Sequence, residues 1–340
     1  MAISLDRAWP ARPRAAAGFG DLQRFWQWPA LAGVVVLAAC LNLLQLTREG
    51  YGNAYYAAAV KSMLQSWHNF FFVSFDPGGF VTVDKPPVGF WVQTASAKLF
   101  GFHGWSILLP QAVAGVLSAG VLFFLVRRYF GPVAGLLAAL ALAVTPISVV
   151  ANRNNTIDSQ LVLVVLLASW AVLKATETGK LRWLLLSMAL VGLGFNIKML
   201  EAYLVLPALA LVYFVAAPAG WRKRVLHLAA AGAVLLVVSF AWITAVDLTP
   251  ASQRPYVGSS QHNSELELAL GYNGLQRLLG GGGPATQNRG SAAGTTQPQA
   301  SASAGAAQTT SAPAPSANAA QAGPPPGAGG PGGTGENGPV

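Results

Sequence analysis

The sequence predicts an all-α polytopic membrane protein, and three observations carry that prediction. Hydrophobic residues make up 53% of the 340-residue chain and charged residues only 10%, with a mean hydropathy of +0.47. Soluble domains are roughly a quarter charged. Apolar runs near the ~20 residues that a bilayer crossing needs recur through the first 250 positions. Basic residues collect in alternate loops, as they do in chains that cross repeatedly.

Residues 1–28 form a basic lead containing Arg7, Arg12, Arg14 and Arg24. The first apolar run, 29–46, holds Cys40, the single cysteine, so no internal disulfide framework exists. Leu37-Ala38-Ala39-Cys40 resembles a lipoprotein cleavage box, but the run continues through Leu41, Leu43, Leu44 and Leu46. A spanning helix is the better reading. Further runs cover 105–126, 132–150, 157–175, 183–199, 201–217 and 227–246, predicting about seven transmembrane helices.

Charge placement sets the expected orientation. The net charge of +9 is not spread as a nucleic-acid surface. It sits before run one, at Arg127 and Arg128, at Lys174, Lys180 and Arg182, and at Arg222, Lys223 and Arg224. The intervening short loops carry only Arg153 and Lys198. Positive charge marks the cytoplasmic side, which places the amino terminus inside. Loops 47–104, 151–156 and 198–201, and the chain beyond 247, are then expected outside. Nine of the twelve acids fall on that outer side: Glu49, Asp76, Asp84, Asp158, Glu201, Asp247, Glu265, Glu267 and Glu336.

The first outer loop, 47–104, is dense in aromatic residues, including Tyr55, Tyr56, Trp67 and Trp91. That composition suits helices lying in the membrane interface, expected at 53–67 and 86–100. Asp76-Pro77-Gly78-Gly79 between them is a turn by composition. Residues 29–280 thus read as the membrane region. Residues 281–340, dominated by Gly, Pro, Ala, Ser, Gln and Thr without an aromatic side chain, read as a disordered tail or linker, with the chain continuing in a longer protein.

Thr82-Val83-Asp84-Lys85-Pro86-Pro87 is the most informative stretch. It sets a carboxylate beside an ammonium, stiffened by two prolines that keep Lys85 out of the α region. Asp158 and Glu201 lie near expected helix ends, where an ionisable group is costly unless it lines a polar cavity. Lys198 and Glu201, one turn apart, are placed to pair with each other. His68 lacks a second ligand at metal spacing, so no metal and no cofactor is expected.

The chain resembles bacterial glycosyltransferases of the protein-mannosyltransferase and aminoarabinose-transferase superfamily (family 39), which have the GT-C architecture. The anchors, in order, are Gly52-Asn53-Ala54-Tyr55-Tyr56-Ala57 with Met63, then Asp84-Lys85-Pro86-Pro87, Leu99-Phe100-Gly101 and Leu109-Pro110. Thr156-Ile157-Asp158 and Phe195-Asn196-Ile197-Lys198 follow. Ser66-Trp67-His68-Asn69-Phe70 and Asp247-Leu248-Thr249-Pro250 point to a branch described as mannosyltransferases.

The resemblance implies a GT-C helical bundle that moves a sugar from a polyprenyl-phosphate carrier to an acceptor outside the cytoplasmic membrane. The acceptor is a lipid, a cell-wall polymer or a protein, and no nucleic acid takes part. Such transfer needs a carboxylate to accept the acceptor proton and cations to stabilise the phosphate leaving group. Lys85 and Lys198, with Arg153, are the phosphate candidates. Many members carry an Asp-Glu pair where this chain has Gly52 and Asn53, and neither of these can act as a base. Asp84 is the leading replacement, followed by Asp76 and Asp158. Asn53, Tyr56 and Asp76 are further candidate substrate contacts. Two other readings stay open: a lipid-linked sugar transporter or flippase, for which inverted repeats are expected, and a non-catalytic piece of a larger glycosyltransferase.

Overall fold

A computed structural model describes residues 25–271, all in helices, turns and loops apart from two isolated β-bridges. The expected lead up to residue 24 and the tail 281–340 lie outside the described residues. Along the chain run α1 (Gln27–Leu43), α2 (Ala54–Met63), α3 (Trp67–Phe72), α4 (Pro87–Phe100), α5 (Gly104–Val144) and α6 (Pro146–Asn152). They are followed by α7 (Asp158–Thr178), α8 (Leu181–Lys198), α9 (Leu206–Ala216), α10 (Trp221–Leu248) and α11 (Glu265–Leu270).

Among the described residues, five helical stretches are long and apolar enough to cross a membrane, where the sequence predicted about seven separate helices. The difference lies in two reversals. In α5, which is 41 residues long, Gly131 adopts φ 86° and ψ 172°, followed by Pro132. A Cβ at Gly135 would stand 2.9 Å from the Phe123 carbonyl oxygen, so the second arm runs back along the first. Two of the predicted runs therefore share one helix bent into a hairpin. In the stretch Leu181–Ala216 the break is Met199, at φ 50°, where a 3-10 turn (Met199–Val205) separates α8 from α9. Gly179 then meets Pro218 at the far end.

Within a bilayer, apolar side chains gain little from leaving lipid, so close packing and interhelical hydrogen bonds hold helices together. Ala38 of α1 packs with Ala119 and Ala143 from the two arms of α5. Ser187 Oγ donates to the Ala168 carbonyl at 2.8 Å, tying α8 to α7. Asn196 Nδ2 donates to the Val238 carbonyl at 2.8 Å, and Tyr203 OH to Ser239 Oγ at 2.7 Å, tying α8 and its 3-10 turn to α10.

One large core cluster joins the elements at one end of the bundle. It includes Val60, Val83, Phe90, Ile107, Ile157, Phe195, Met199, Val246, Val257 and Leu268. The expected outer loops 47–104 and 198–201 and the chain beyond 247 therefore converge on a single packed unit, next to Ile157. The expected interfacial helix at 86–100 is α4. The one at 53–67 stops at Met63, because Ser66 starts a new helix by accepting the Asn69 N–H at 3.0 Å.

Candidate active site

The Pro86-Pro87 pair opens α4 and leaves Lys85 just before its first turn. Lys85 Nζ donates to Asp84 Oδ2 at 2.9 Å and to the Asp84 carbonyl at 3.2 Å. The ion pair is nearly closed to solvent, with the lysine side chain 6% exposed and the carboxylate 17%. Two residues into α4, Gly89 has no room for a side chain. A Cβ there would stand 2.4 Å from Ile157 Cγ2. That approach brings the start of α4 against Ile157, the residue before α7.

Asp158 is the first residue of α7, where the helix amide dipoles favour a negative charge. Its Oδ1 accepts from Lys198 Nζ at 2.5 Å, and the same ammonium reaches Glu201 Oε2 at 2.7 Å. Met199, with a positive φ of 50°, turns the chain directly after Lys198, which folds Glu201 back onto it. Asp158 is the most open of these acids at 43%. It lies on the wall of a cavity of about 590 Å³ between α5, α6 and α7, whose polar lining includes Asn152, Asn154, Thr156 and Ser159.

Three other expected site residues have structural work. Asn53 caps α2, its Oδ1 accepting the N–H of Tyr55 at 3.0 Å and of Tyr56 at 3.3 Å. Asp76 closes the predicted turn by accepting the N–H of Phe80 and Val81, each at 3.0 Å. Arg153 donates to Glu49 at 2.6 Å and to the Leu41 and Leu44 carbonyls at 2.9 Å, sealing the end of α1. Tyr56 is half-buried against Phe90, with ring centroids 5.1 Å apart.

Asn155, which no motif singled out, binds Asn53 through both side-chain atoms. Its carbonyl also accepts Gln93 Nε2 at 2.9 Å. The larger omission is the segment after α10. Tyr256 pairs with the loop before Asp84, its N–H reaching the Phe80 carbonyl at 2.8 Å and its carbonyl accepting the Thr82 N–H at 2.9 Å. The Ser264-x-x-Glu267 spacing, a capping pattern, is the sequence signal for the helix that follows. Ser264 Oγ accepts the Glu267 N–H at 3.3 Å.

Comparison with known proteins agrees with this architecture. Residues 84–243 match the family described as Dolichyl-phosphate-mannose-protein mannosyltransferase. The chain is 51% identical over 259 residues to a Bacillus subtilis protein named "Putative mannosyltransferase YkcB", covering 75% of this chain and 36% of that protein. It is 29% identical over 169 residues to an undecaprenyl phosphate-alpha-4-amino-4-deoxy-L-arabinose arabinosyl transferase of Pseudomonas paraeruginosa, covering 48% of this chain and 30% of that protein. The chain thus spans about a third of the length of these curated relatives. The archaeal oligosaccharyltransferase AglB from Archaeoglobus fulgidus superposes with a TM-score of 0.50 at 16% identity, over 74% of this chain and 32% of that one. That likeness shows a GT-C-type helical fold, and the five long apolar stretches make it a multi-pass membrane bundle. Within that class, the chain belongs to the protein-mannosyltransferase-like superfamily.

Proposed function

We propose that the chain forms the membrane-embedded site of a glycosyltransferase that moves a sugar from a polyprenyl-phosphate carrier to an acceptor hydroxyl. The observation that carries this reading is Lys198 held between Asp158 and Glu201, with Asp158 opening onto the adjoining cavity. The acceptor oxygen forms its bond to the sugar C1 as the bond from C1 to the phosphate oxygen breaks. The acceptor proton passes to a carboxylate, and the electron pair leaves on the phosphate, whose charge the lysines stabilise.

Of the two expected catalytic acids, Asp158 is the better-placed proton acceptor because it is open to the cavity. Asp84, closed over Lys85, holds that lysine for the phosphate. The mannosyltransferase and undecaprenyl-phosphate transferase names of the relatives support a lipid-linked donor. Arg127, Arg128, Lys180, Arg182 and Arg222–Arg224 flank helix ends and turns remote from this cluster. Their positive charge supports an inside amino terminus and a site on the outer face of the cytoplasmic membrane.

The test is transfer of radiolabelled mannose or aminoarabinose from undecaprenyl-phosphate donors by the full chain in nanodiscs, beside Lys85→Ala and Asp158→Asn. Label moved by wild type and lost in both variants is the expected result. Donor bound by wild type without transfer would reduce the site to carrier binding, and no donor binding would overturn the reading.

A further inference from the structure

Glu265 is the most unusual ionisable group among the described residues. It is the first residue of α11, its exposure is 0%, and neither carboxyl oxygen has a hydrogen-bond partner among the described residues. A rigid frame holds it there. The Asp247 carboxylate at the end of α10 accepts Ser264 Oγ at 2.8 Å, the Glu265 N–H at 2.8 Å and the Leu266 N–H at 3.1 Å. Arg254 is bound elsewhere, donating to the Thr249 carbonyl at 3.0 Å and the Asn263 carbonyl at 2.7 Å, with Asp247 3.8 Å away. Asn263 Oδ1 accepts the Val257 N–H at 2.8 Å. Gly258 N–H donates to Thr82 Oγ1 at 3.0 Å, two residues before Asp84.

The charged groups bearing on Glu265 are Asp247, Arg254 and Asp84. Glu267 of the same helix is turned away, accepting the N–H of Gln261 at 3.0 Å and of His262 at 2.8 Å. An ionised carboxylate without a donor in a buried site is strongly disfavoured, so the surroundings favour the protonated form. Burial pushes the Glu265 carboxyl well above the usual carboxylate range; Asp247 and then Asp84 add to the rise, and Arg254 opposes it.

We propose that Glu265, buried in the segment packed on the loop that carries Asp84, tunes the phosphate-binding lysine: uncharged, it adds no second negative charge to the field of the Asp84–Lys85 pair. The inference rests on the reading of Lys85 as a phosphate contact. Loss of the Glu265 proton adds a negative charge in the same packed unit, which opposes the phosphate of the carrier at Lys85.

Two measurements on the full chain in nanodiscs test this. Infrared difference spectra between wild type and Glu265→Gln at neutral pH read the protonation state directly. The protonated-carboxyl C=O band is expected in wild type and absent from the variant; wild type without that band overturns the proposal. Titration with undecaprenyl phosphate across neutral to alkaline pH reads the consequence. Wild-type affinity is expected to fall about two- to threefold as the pH rises, beyond any change in Glu265→Gln, which corrects for ionisation of the phosphate itself. Parallel pH dependence in the two proteins, or a flat wild-type affinity, overturns the link to Lys85. No binding by either protein overturns the glycosyltransferase reading and that link together, while the infrared band still decides whether Glu265 is neutral.

Discussion

Asn155 grips the backbone of Asn53 from both sides, its Oδ1 accepting the Asn53 N–H at 2.7 Å and its Nδ2 donating to the Asn53 carbonyl at 3.0 Å. The two residues are 102 positions apart. The pair fastens the start of α2 to the loop that ends in Asp158. It also accounts for Gly52, where a Cβ would stand 2.8 Å from Asn155 Oδ1. Asn155→Ala leaves both backbone groups of Asn53 without that partner. It is expected to destabilise the protein by about 1–3 kcal/mol, measured by thermal unfolding in detergent.

Asp158 and Glu201 share one ammonium, yet their substitutions should differ. Asp158→Asn removes the group open to the cavity and is expected to lower kcat about 10²–10⁴-fold. Glu201→Gln leaves Lys198 paired with Asp158 and should cost less than about tenfold. Steady-state transfer assays on the two variants check the contrast. Equal losses would mean that the acids serve only to hold Lys198.

Gly104 is enclosed by the backbone of the turn after α1. A Cβ there would stand 1.8 Å from the Gly50 carbonyl oxygen, and backbone cannot move aside as a flexible side chain can. Gly104→Ala is expected to destabilise the fold by more than about 2 kcal/mol. Gly120→Ala in the same helix meets nothing within 4 Å and should be neutral or slightly stabilising. Thermal unfolding of the pair reads the difference.

The raised Glu265 carboxyl makes stability pH-dependent with a definite sign. In the unfolded chain the group titrates near about 4.3, and in the fold it holds its proton to higher pH. Its contribution is complete below the unfolded value and is lost as the pH rises toward the folded one, at about 1.4 kcal/mol per pH unit between them. Glu265→Gln should flatten that decline, seen as a smaller fall in unfolding temperature from pH 5 to pH 8.

The membrane class was readable because bilayer thickness imposes a run length that few other folds produce. Where the chain reverses was harder to see. Gly131-Pro132 and Met199 lie within or beside apolar sequence, and hydropathy does not separate a bend from a straight helix. Asp84-Lys85 and Lys198-Glu201 were legible as pairs from spacing alone, whereas Lys198 meeting Asp158 depends on contact between α7 and α8. A charge on an outer loop does not disclose its partners: neither the amides of Phe80 and Val81 at Asp76 nor Glu49 and the α1 carbonyls at Arg153 could be read from spacing. Glu265 looked like an ordinary loop acid, since nothing local reports that residues 249–270 fold back over the loop carrying Asp84.

The bond between Gly258 and Thr82 joins positions 176 apart in sequence, so the loop carrying Lys85 is shaped in part by a distant stretch of chain. The family match runs from residue 84 to residue 243 and so includes neither Thr82 nor Gly258. A trimmed version designed on that boundary would retain Asp84 and Lys85 while losing the surface against which their loop is moulded. A shortened chain meant to keep that loop in shape therefore needs Thr82 and residues 249–270 together, and a working enzyme cut to the matched region alone would show that the loop shapes itself.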